Sequence, residues 1–347
     1  MFSIKIHAAN DLRVTGETGA PEPQWGEVKV NISKGGICGS DLHYYHNGGF
    51  GAVRLREPMI LGHEVSGVVA AVGEGVDRLS PGDRVAVNPS MPCDTCAYCR
   101  KGLRNHCDDM RFFGSAMRFP HQQGLFRQEI TIPERQLVLL NRDTDLSQAA
   151  CAEPLAVCLH AVSQAGDLKG KKVLVSGCGP IGCLTVMSCV IAGAQEIVAT
   201  DMYEAPLRIA KEMGATTTIN VANDESALAM LTAGKGTQDV VFECSGSPEA
   251  LDFALAAIRP RGTIVTVGLG GKIPVEVNLI VAKEIEIKGS FRFDQEFYKA
   301  VELIDKGVVD LASFITSSVS MSSAQEAFEL ASQREKAMKV QIDFEAC

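Results

Sequence analysis

The stretch "KKVLVSGCGPIGCLTVMSCVIAGA", residues 171–194, decides the fold. An apolar run leads into glycines spaced G-x-G-x-x-G, and a longer apolar run follows. This spacing between a buried strand and a buried helix is typical of a dinucleotide-binding unit. Glycines let the backbone approach a pyrophosphate, whose charge meets the helix N-terminus. The cofactor-binding residues predicted from this stretch are Gly177, Gly179, Pro180, Ile181 and Gly182.

Strands and helices continue to alternate after this stretch, as in "EIVATD" (196–201) and "GTIVTVGL" (262–269). The alternation predicts a doubly wound parallel sheet, which is an α/β Rossmann domain. The second strand ends at Asp201, where a carboxylate is expected to accept hydrogen bonds from an adenosine ribose and to repel a 2′-phosphate. NAD is therefore favoured as the cofactor. Arg208 lies one or two helical turns further on and keeps NADP open as the alternative.

Length and charge set the outer limits of the function. The 347 residues suggest two domains, and the texture of the sequence places them at 1–146 (β-rich) and 147–284 (Rossmann), with a segment 285–347 that returns to the first. A net charge of −9 argues against nucleic acid or an anionic membrane as a partner. The sequence has neither a signal peptide nor a long apolar run, so its 12 cysteines are expected to be reduced in the cytoplasm.

Four cysteines crowd the short polar segment "PCDTCAYCRKGLRNHC", residues 92–107. Four thiolates are tolerated side by side only around a cation, and four sulfur ligands leave no open position on zinc. Disulfides are the rival interpretation, although this spacing rarely pairs off in a cytosolic chain. A closed, structural zinc site is predicted at Cys93, Cys96, Cys99 and Cys107.

A second set of metal-binding residue types is scattered along the chain. Cys38 lies in "GGICGSDLHYY" (35–45), His63 and Glu64 in "MILGHEVSGVV" (59–69), and Glu153 in "CAEPLAV" (151–157). Cys, His and carboxylate ligands with one open position are the arrangement of a catalytic zinc. Spacing alone does not join residues so far apart. Neighbours on a regular strand also point to opposite faces, so His63 and Glu64 share one metal only if the chain bends, which Gly62 permits.

The marks "CGSDLH", "GHEVSGVV", "GDRVAV", the four-cysteine segment, "EPLAV" and "GCGPIG" occur in this order over nearly the whole chain. Together they resemble the zinc-dependent medium-chain dehydrogenase/reductase family. The Glu of "EPLAV" resembles the polyol dehydrogenase branch, where it replaces a Cys of other alcohol dehydrogenases. The resemblance implies a GroES-like fold for the β-rich domain and a homo-oligomer, with a tetramer favoured over a dimer.

The resemblance also implies the roles of individual residues. Cys38 and His63 bind the catalytic zinc, and Glu64 and Glu153 complete the site directly or through water. Ser40 takes the proton of the substrate hydroxyl and passes it through the cofactor ribose to His43, while hydride moves to or from the nicotinamide. Segments that line the nicotinamide and substrate are Val267, Gly268 and Leu269, and Ser290, Phe291 and Arg292. Phe293 replaces a Tyr of polyol dehydrogenases, which removes one polar contact to a polyol.

The substrate is expected to be a small polyol or sugar acid. Within the branch, the marks favour oxidation of the C5 hydroxyl of L-idonate, with reduction of 5-keto-D-gluconate as the reverse reaction. The segment "RFFGSAMRFPHQQG" (111–124) supplies basic residues for a carboxylate, because an Arg fork pairs bidentately with one. Predicted substrate-binding residues are Tyr44, Phe113, Arg118, His121 and Arg292. The alternatives are a sorbitol- or xylitol-type polyol dehydrogenase and, from a different class, a catalytically silent cofactor-binding structural protein.

Overall fold

A computed structural model describes residues 1–345, which divide into two units. The first unit comprises Met1–Glu153, Phe297–Gln333 and the chain from Lys339 onward. The second comprises Pro154–Glu296 and Arg334–Met338. The contacts therefore divide the chain after residues 153 and 296, where the sequence texture suggested 146 and 284, and the last two residues of the expected 285–347 segment lie outside the described part.

The N-terminal part of the first unit is built mainly from short strands. They are β1 (Phe2–Ala8), β2 (Asp11–Gly16), β3 (Glu27–Gly36), β4 (Gly49–Phe50), β5 (Val53–Arg54), β6 (Met59–Ile60), β7 (Glu64–Val72), β8 (Arg84–Val87), β9 (Ser90–Met91), β10 (Arg111–Phe112), β11 (Glu129–Pro133) and β12 (Leu137–Leu139). The helices are α1 (Gly39–Asn47), α2 (Ala97–Arg100) and α3 (Leu146–Ala149), with 3₁₀ turns at Arg104–His106 and Glu134–Gln136. Short strands bounded by Gly and Pro are what the N-terminal sequence predicts.

The second unit alternates strands and helices. Its elements in chain order are α4 (Ala152–Ala165, which begins in the first unit), β13 (Lys172–Ser176), α5 (Pro180–Ile191), β14 (Glu196–Asp201), α6 (Glu204–Glu212), β15 (Thr217–Asn220), α7 (Glu225–Thr232), β16 (Gln238–Glu243), α8 (Pro248–Ala257), β17 (Ile258–Thr266), α9 (Val277–Lys283) and β18 (Glu286–Gly289). The sheet order is β15-β14-β13-β16-β17-β18, and every pair is parallel. The predicted doubly wound sheet is confirmed.

The C-terminal part completes the first unit with α10 (Glu296–Asp305), β19 (Ile315–Ser320), a 3₁₀ turn (Met321–Ser323), α11 (Ala324–Ala331) and β20 (Lys339–Asp343). Its large sheet has the order β12-β8-β7-β3-β20-β19, with β11 also paired to β3. Gly36 of β3 lies opposite Gln341 on one side and Glu64 on the other. The end of the chain is therefore part of the sheet that carries Glu64.

Two further observations concern the described part of the chain. No helix in residues 1–345 is both long and apolar enough to cross a membrane. The four-cysteine segment has only a small apolar cluster, in which Cys99, Cys107 and Met110 are buried. Segments with so small a core need another source of stability, such as a metal.

Candidate active site and metal centres

The four-cysteine segment folds back so that its sulfur atoms meet. All four Sγ atoms of Cys93, Cys96, Cys99 and Cys107 lie within 4.8 Å of one another. Backbone N–H groups donate to three of them; for example, Cys96 N lies 3.3 Å from Cys93 Sγ. A hydrogen bond from Thr95 lowers the pKa of Cys93 to about 6, whereas burial raises the pKa of Cys99 to about 12. Because zinc binds thiolates, a single ion would hold all four sulfurs in the charged form, and the donor set fits structural zinc.

Arg118 is attached to this segment. Its Nε donates to Met110 O at 3.0 Å and its Nη2 to Asp108 O at 2.6 Å, while Nη1 lies 2.9 Å from Asp109 Oδ1. All three guanidinium nitrogens are therefore engaged by the three residues that follow Cys107. Its prediction as a carboxylate-binding residue stays a prediction, and these contacts would compete with a substrate.

His121 is equally engaged. It is buried, its Nε2 accepts from the Arg56 N–H at 2.9 Å, and its Nδ1 lies 2.8 Å from Arg118 O. A ring that accepts at Nε2 and faces a carbonyl at Nδ1 is the neutral tautomer protonated on Nδ1. His121 therefore joins the Arg118 segment to the chain at Arg56, and a substrate would have to break one of these bonds to use its ring.

The second predicted metal set meets at the start of β7. One ligand atom from each of Cys38, His63 and Glu64 lies within 4.8 Å of the other two. The bend that this requires is at Gly62, whose φ is +88°, and a Cβ there would lie 2.1 Å from the Phe126 ring. Strand β6 ends before this bend and β7 begins after it, so the side chains of His63 and Glu64 are freed from strict alternation.

Asp41 braces this site and was missed by the sequence reasoning, although it lies within "CGSDLH". Its Oδ2 accepts from the Cys38 N–H at 3.1 Å and its Oδ1 from the Gly62 N–H at 3.2 Å. His63 Nδ1 lies 3.9 Å from the same Oδ1. A buried carboxylate behind a histidine orients the ring so that the other nitrogen faces the metal. Asp41 thus joins the two chain segments that carry the candidate ligands.

Glu64 is paired within the protein. Its carboxylate accepts from Lys339 Nζ at 2.8 and 3.0 Å, and both side chains are buried. Glu153 is also buried, but it is outside the set of atoms that lie within 4.8 Å of one another. The structure therefore brings Cys38, His63 and Glu64 closest together and leaves Glu153 at a greater distance.

The electrostatics of this site fit a bound cation. Burial and the nearby Glu64 carboxylate raise the pKa of the Cys38 thiol to about 12. Burial raises the pKa of Glu153 to about 8, against the opposing effect of His63. Acidic groups that disfavour one another's charged forms are relieved by a divalent ion, which deprotonates a coordinating thiol. The donor set of thiol, imidazole and carboxylate fits zinc with an open position.

The neighbouring predicted residues lie on α1 and in the 111–124 segment. Ser40 Oγ lies 3.5 Å from His63 Nε2, so it is next to the candidate metal ligand. His43 is exposed, with its ring centroid 5.6 Å from that of Phe50. Tyr44 is buried, and its hydroxyl accepts from the Ala116 N–H at 2.9 Å.

Phenylalanines 112 and 113 differ in their relation to His63. The ring of Phe112 lies 5.5 Å from the His63 ring. Phe113, which was the predicted substrate residue, is buried, and its N–H donates to Pro89 O at 3.2 Å. Sequence reasoning missed Phe112 because adjacent aromatic residues give no signal of which one faces a site.

The glycine loop of the second unit fits a dinucleotide. A Cβ on Gly182 would lie 1.8 Å from Gly177 O, whereas a Cβ on Gly179 would meet nothing within 4 Å. Helix α5 begins at Pro180 and has no side-chain cap at Gly179. Its first N–H groups are thus available to an anion, as a pyrophosphate requires. Asp201 Oδ2 accepts from the Cys178 N–H at 2.7 Å, so the predicted ribose-binding residue also supports this loop.

The other predicted cofactor residues lie near the ends of β17 and β18. Val267 and Gly268 are half-buried, and Leu269 is exposed. Ser290 and Arg292 are half-buried, and the Arg292 guanidinium lies 5.0 Å from the centroid of the Phe291 ring. Phe293, which replaces a Tyr, is buried, and Arg208 is exposed on α6.

Comparisons with known proteins agree with these sites. The family model "Alcohol dehydrogenase GroES-like domain" matches residues 24–142, and "Zinc-binding dehydrogenase" matches residues 180–306. The chain is 43% identical over 316 residues to L-idonate 5-dehydrogenase (NAD(P)(+)) of Escherichia coli K12, which covers 91% of each chain. It is 36% identical to sorbitol dehydrogenase of Bacillus subtilis 168, covering 99% of this chain and 97% of the relative. The crystal structure of the E. coli L-idonate 5-dehydrogenase matches with a TM-score of 0.94 at 40% identity, covering 99% of this chain and 97% of that one.

These matches span both units, and the two cysteine-containing sites and the glycine loop lie where the family models match or directly beside them. The fold, the donor sets and the identities agree, and the protein is an enzyme that uses NAD(P). The chain belongs to the zinc-dependent medium-chain dehydrogenase/reductase family, in its polyol dehydrogenase branch.

Proposed function

We propose that the protein is an L-idonate 5-dehydrogenase, which oxidises the C5 hydroxyl of L-idonate with NAD(P)⁺ and reduces 5-keto-D-gluconate in reverse. The observation that carries this proposal is the 43% identity to the E. coli enzyme of that name over 91% of both chains. The cluster of Cys38, His63 and Glu64 supports it, because the reaction needs a metal site with an open position.

The residues of the first unit divide the chemistry among them. A zinc ion held by Cys38 and His63 supplies a Lewis acid that polarises the C5 oxygen and lowers the pKa of its hydroxyl. Ser40, whose Oγ lies 3.5 Å from His63 Nε2, accepts the hydroxyl proton, and the exposed His43 releases it to solvent. Asp41 holds the His63 ring, and Lys339 fixes the carboxylate of Glu64. Glu153 completes the site directly or through water.

NAD is the proposed cofactor, with NADP as the alternative. Asp201 lies at the end of β14 and carries a negative charge that disfavours a 2′-phosphate. Its carboxylate is fixed by the N–H groups of Cys178 and Tyr203, at 2.7 and 3.0 Å. A fixed carboxylate repels the phosphate more effectively than one that can rotate away. Arg208 has the opposite charge and is the proposed moderator of this preference.

A neutral polyol such as sorbitol or xylitol is the second candidate substrate. The engagement of Arg118 and His121 within the 108–121 segment favours it, because both predicted carboxylate-binding groups already have partners. Arg292 stays as the proposed carboxylate-binding residue if the substrate is an aldonate. Tyr44 and Phe113 stay as proposed substrate residues.

We further propose a cytoplasmic homotetramer. Strand β18 is the last strand in the order of its sheet, and the nearby surface carries the exposed apolar residues Val277, Val281 and Ile287. An open strand edge next to apolar surface is a template for pairing with a second copy. Analytical ultracentrifugation tests this proposal, and a monomer at micromolar concentration would contradict it.

Steady-state kinetics with matched substrates test the function. L-idonate, 5-keto-D-gluconate, sorbitol and xylitol should be compared with NAD and with NADP, and L-idonate should give the highest kcat/KM. His63→Ala should abolish turnover, retain NADH binding and lower the zinc content by about one ion per chain. A preference for sorbitol or xylitol would select the polyol alternative, and normal kcat in the His63 variant would contradict the metal assignment.

A further inference from the structure

Glu243 is a buried carboxylate at the end of β16, and the metal and glycine motifs do not account for it. Only 2% of its surface is exposed, and it takes part in none of the ion pairs formed by residues 1–345. An isolated buried charge is costly unless hydrogen bonds compensate for it. The groups that donate to Glu243 therefore show what this carboxylate holds in place.

All of these donors belong to the turn that follows the strand. Oε1 accepts from Ser245 N at 2.7 Å, from Ser245 Oγ at 2.6 Å and from Gly246 N at 2.9 Å. Oε2 is 3.1 Å from the same Gly246 N. The main-chain carbonyl of Glu243 accepts from Val267 N at 2.8 Å and Gly268 N at 3.0 Å. One residue thus holds the turns that follow β16 and β17.

This position is the point where the order of the sheet reverses. From β13 the chain continues to β14 on one side, and from β16 it continues to β17 on the other. Ligands of doubly wound sheets bind at the carboxyl ends of the strands at such a point. Glu243 lies at that end of β16, next to the glycine loop that follows β13.

The loops at this edge contact one another without intervening side chains. A Cβ on Gly177 would lie 2.8 Å from Ser245 Cβ. A Cβ on Gly268 would lie 2.2 Å from Gly246 N, and one on Gly246 would lie 2.8 Å from Gly270 N. Because close-packed groups transmit displacements, a shift of the 245–246 turn would move the walls beside Gly177 and Gly268.

We propose that Glu243 is a positioning residue for the nicotinamide cofactor. Its carboxylate fixes the 245–246 turn against Gly177 and Gly268, so that the cradle has its binding shape before the cofactor arrives. Without this acceptor, two N–H groups and one hydroxyl lose their partner and the turn relaxes, so binding must first restore the cradle. Glu243 acts in this way for any substrate, and its role does not depend on the L-idonate proposal.

The test is equilibrium NADH binding, measured by fluorescence titration without substrate, in three variants. Glu243→Ala removes the acceptor, and Glu243→Asp keeps the charge but withdraws it by one methylene. Glu243→Gln removes the charge but can keep an oxygen at the Oε1 position, where the three shortest bonds meet. Val241→Ala, on the same strand and fully buried, is the control for lost stability alone.

We expect the Kd for NADH to rise about tenfold or more in Glu243→Ala and Glu243→Asp, and to stay within about threefold of wild type in Glu243→Gln. Val241→Ala should lower the Tm and leave the Kd unchanged, and zinc content should be unchanged in all variants. If Glu243→Ala does not fold, the Asp and Gln variants decide. An unchanged Kd in Asp, or a Gln variant as weak as Asp, would overturn the proposal, because position would then not be what the carboxylate supplies.

Discussion

Lys339 Nζ lies 2.8 Å from Oε2 and 3.0 Å from Oε1 of Glu64, and both side chains are almost wholly buried. The same Nζ donates to Ile37 O at 3.1 Å, one residue before Cys38. The lysine therefore joins the C-terminal strand to both segments that carry the candidate zinc ligands. Burial lowers the pKa of Lys339, but Glu64 outweighs it and the net shift is upward.

Lys339→Met should destabilise the protein by about 3–5 kcal/mol, because it leaves a buried carboxylate without its cation. Glu64→Gln combined with Lys339→Met should recover part of that loss, since no isolated charge then remains. Urea unfolding of the two single variants and the double variant measures the coupling. Additive losses would mean that the two side chains do not stabilise each other.

Cys99→Ser should lower the zinc content from about two ions per chain to about one and reduce the Tm, because the remaining sulfurs lose a ligand. Cys189→Ala is a matched control, since Cys189 is equally buried but lies on α5 of the second unit. Elemental analysis after gel filtration gives the zinc content. Full zinc content in the Cys99 variant would contradict the structural site.

Arg118→Ala should destabilise the segment after Cys107 by about 1–3 kcal/mol, because three charge-assisted contacts are lost. We expect kcat/KM for L-idonate and for sorbitol to fall by similar factors. Kinetics with both substrates and urea unfolding are the measurements. A loss of about 2–3 kcal/mol confined to L-idonate would instead support Arg118 as the residue that binds the substrate carboxylate.

Asp201→Ser should raise the NADP/NAD ratio of kcat/KM about tenfold, which corresponds to ~1.4 kcal/mol, because a like charge beside the 2′-phosphate is removed. Asp201→Asn is the control for the loop, since its amide oxygen can still accept from Cys178 N. Both variants should shift the ratio, and only the Ser variant should also weaken NAD binding. An unchanged ratio would move the determinant to Arg208.

Features that the sequence determined by itself are local or periodic. The G-x-G-x-x-G loop, the alternation of strands and helices and the spacing of Cys93, Cys96 and Cys99 each reside within one stretch of chain. Their geometry follows from backbone conformation and helix or strand period, which neighbouring residues fix. The family marks extended this to Cys38 and His63, which spacing alone could not join.

Tertiary structure alone decided which side chains meet. Lys339 and Glu64 are 275 positions apart and become neighbours only because β20 and β7 both pair with β3. Arg118 looked available for a carboxylate in the sequence, and only folding supplied the carbonyls of residues 108 and 110 that engage it. Glu243 carries no motif, because its importance comes from loops after different strands meeting at one sheet edge. Such contacts depend on long-range packing and side-chain direction, which a linear pattern does not encode.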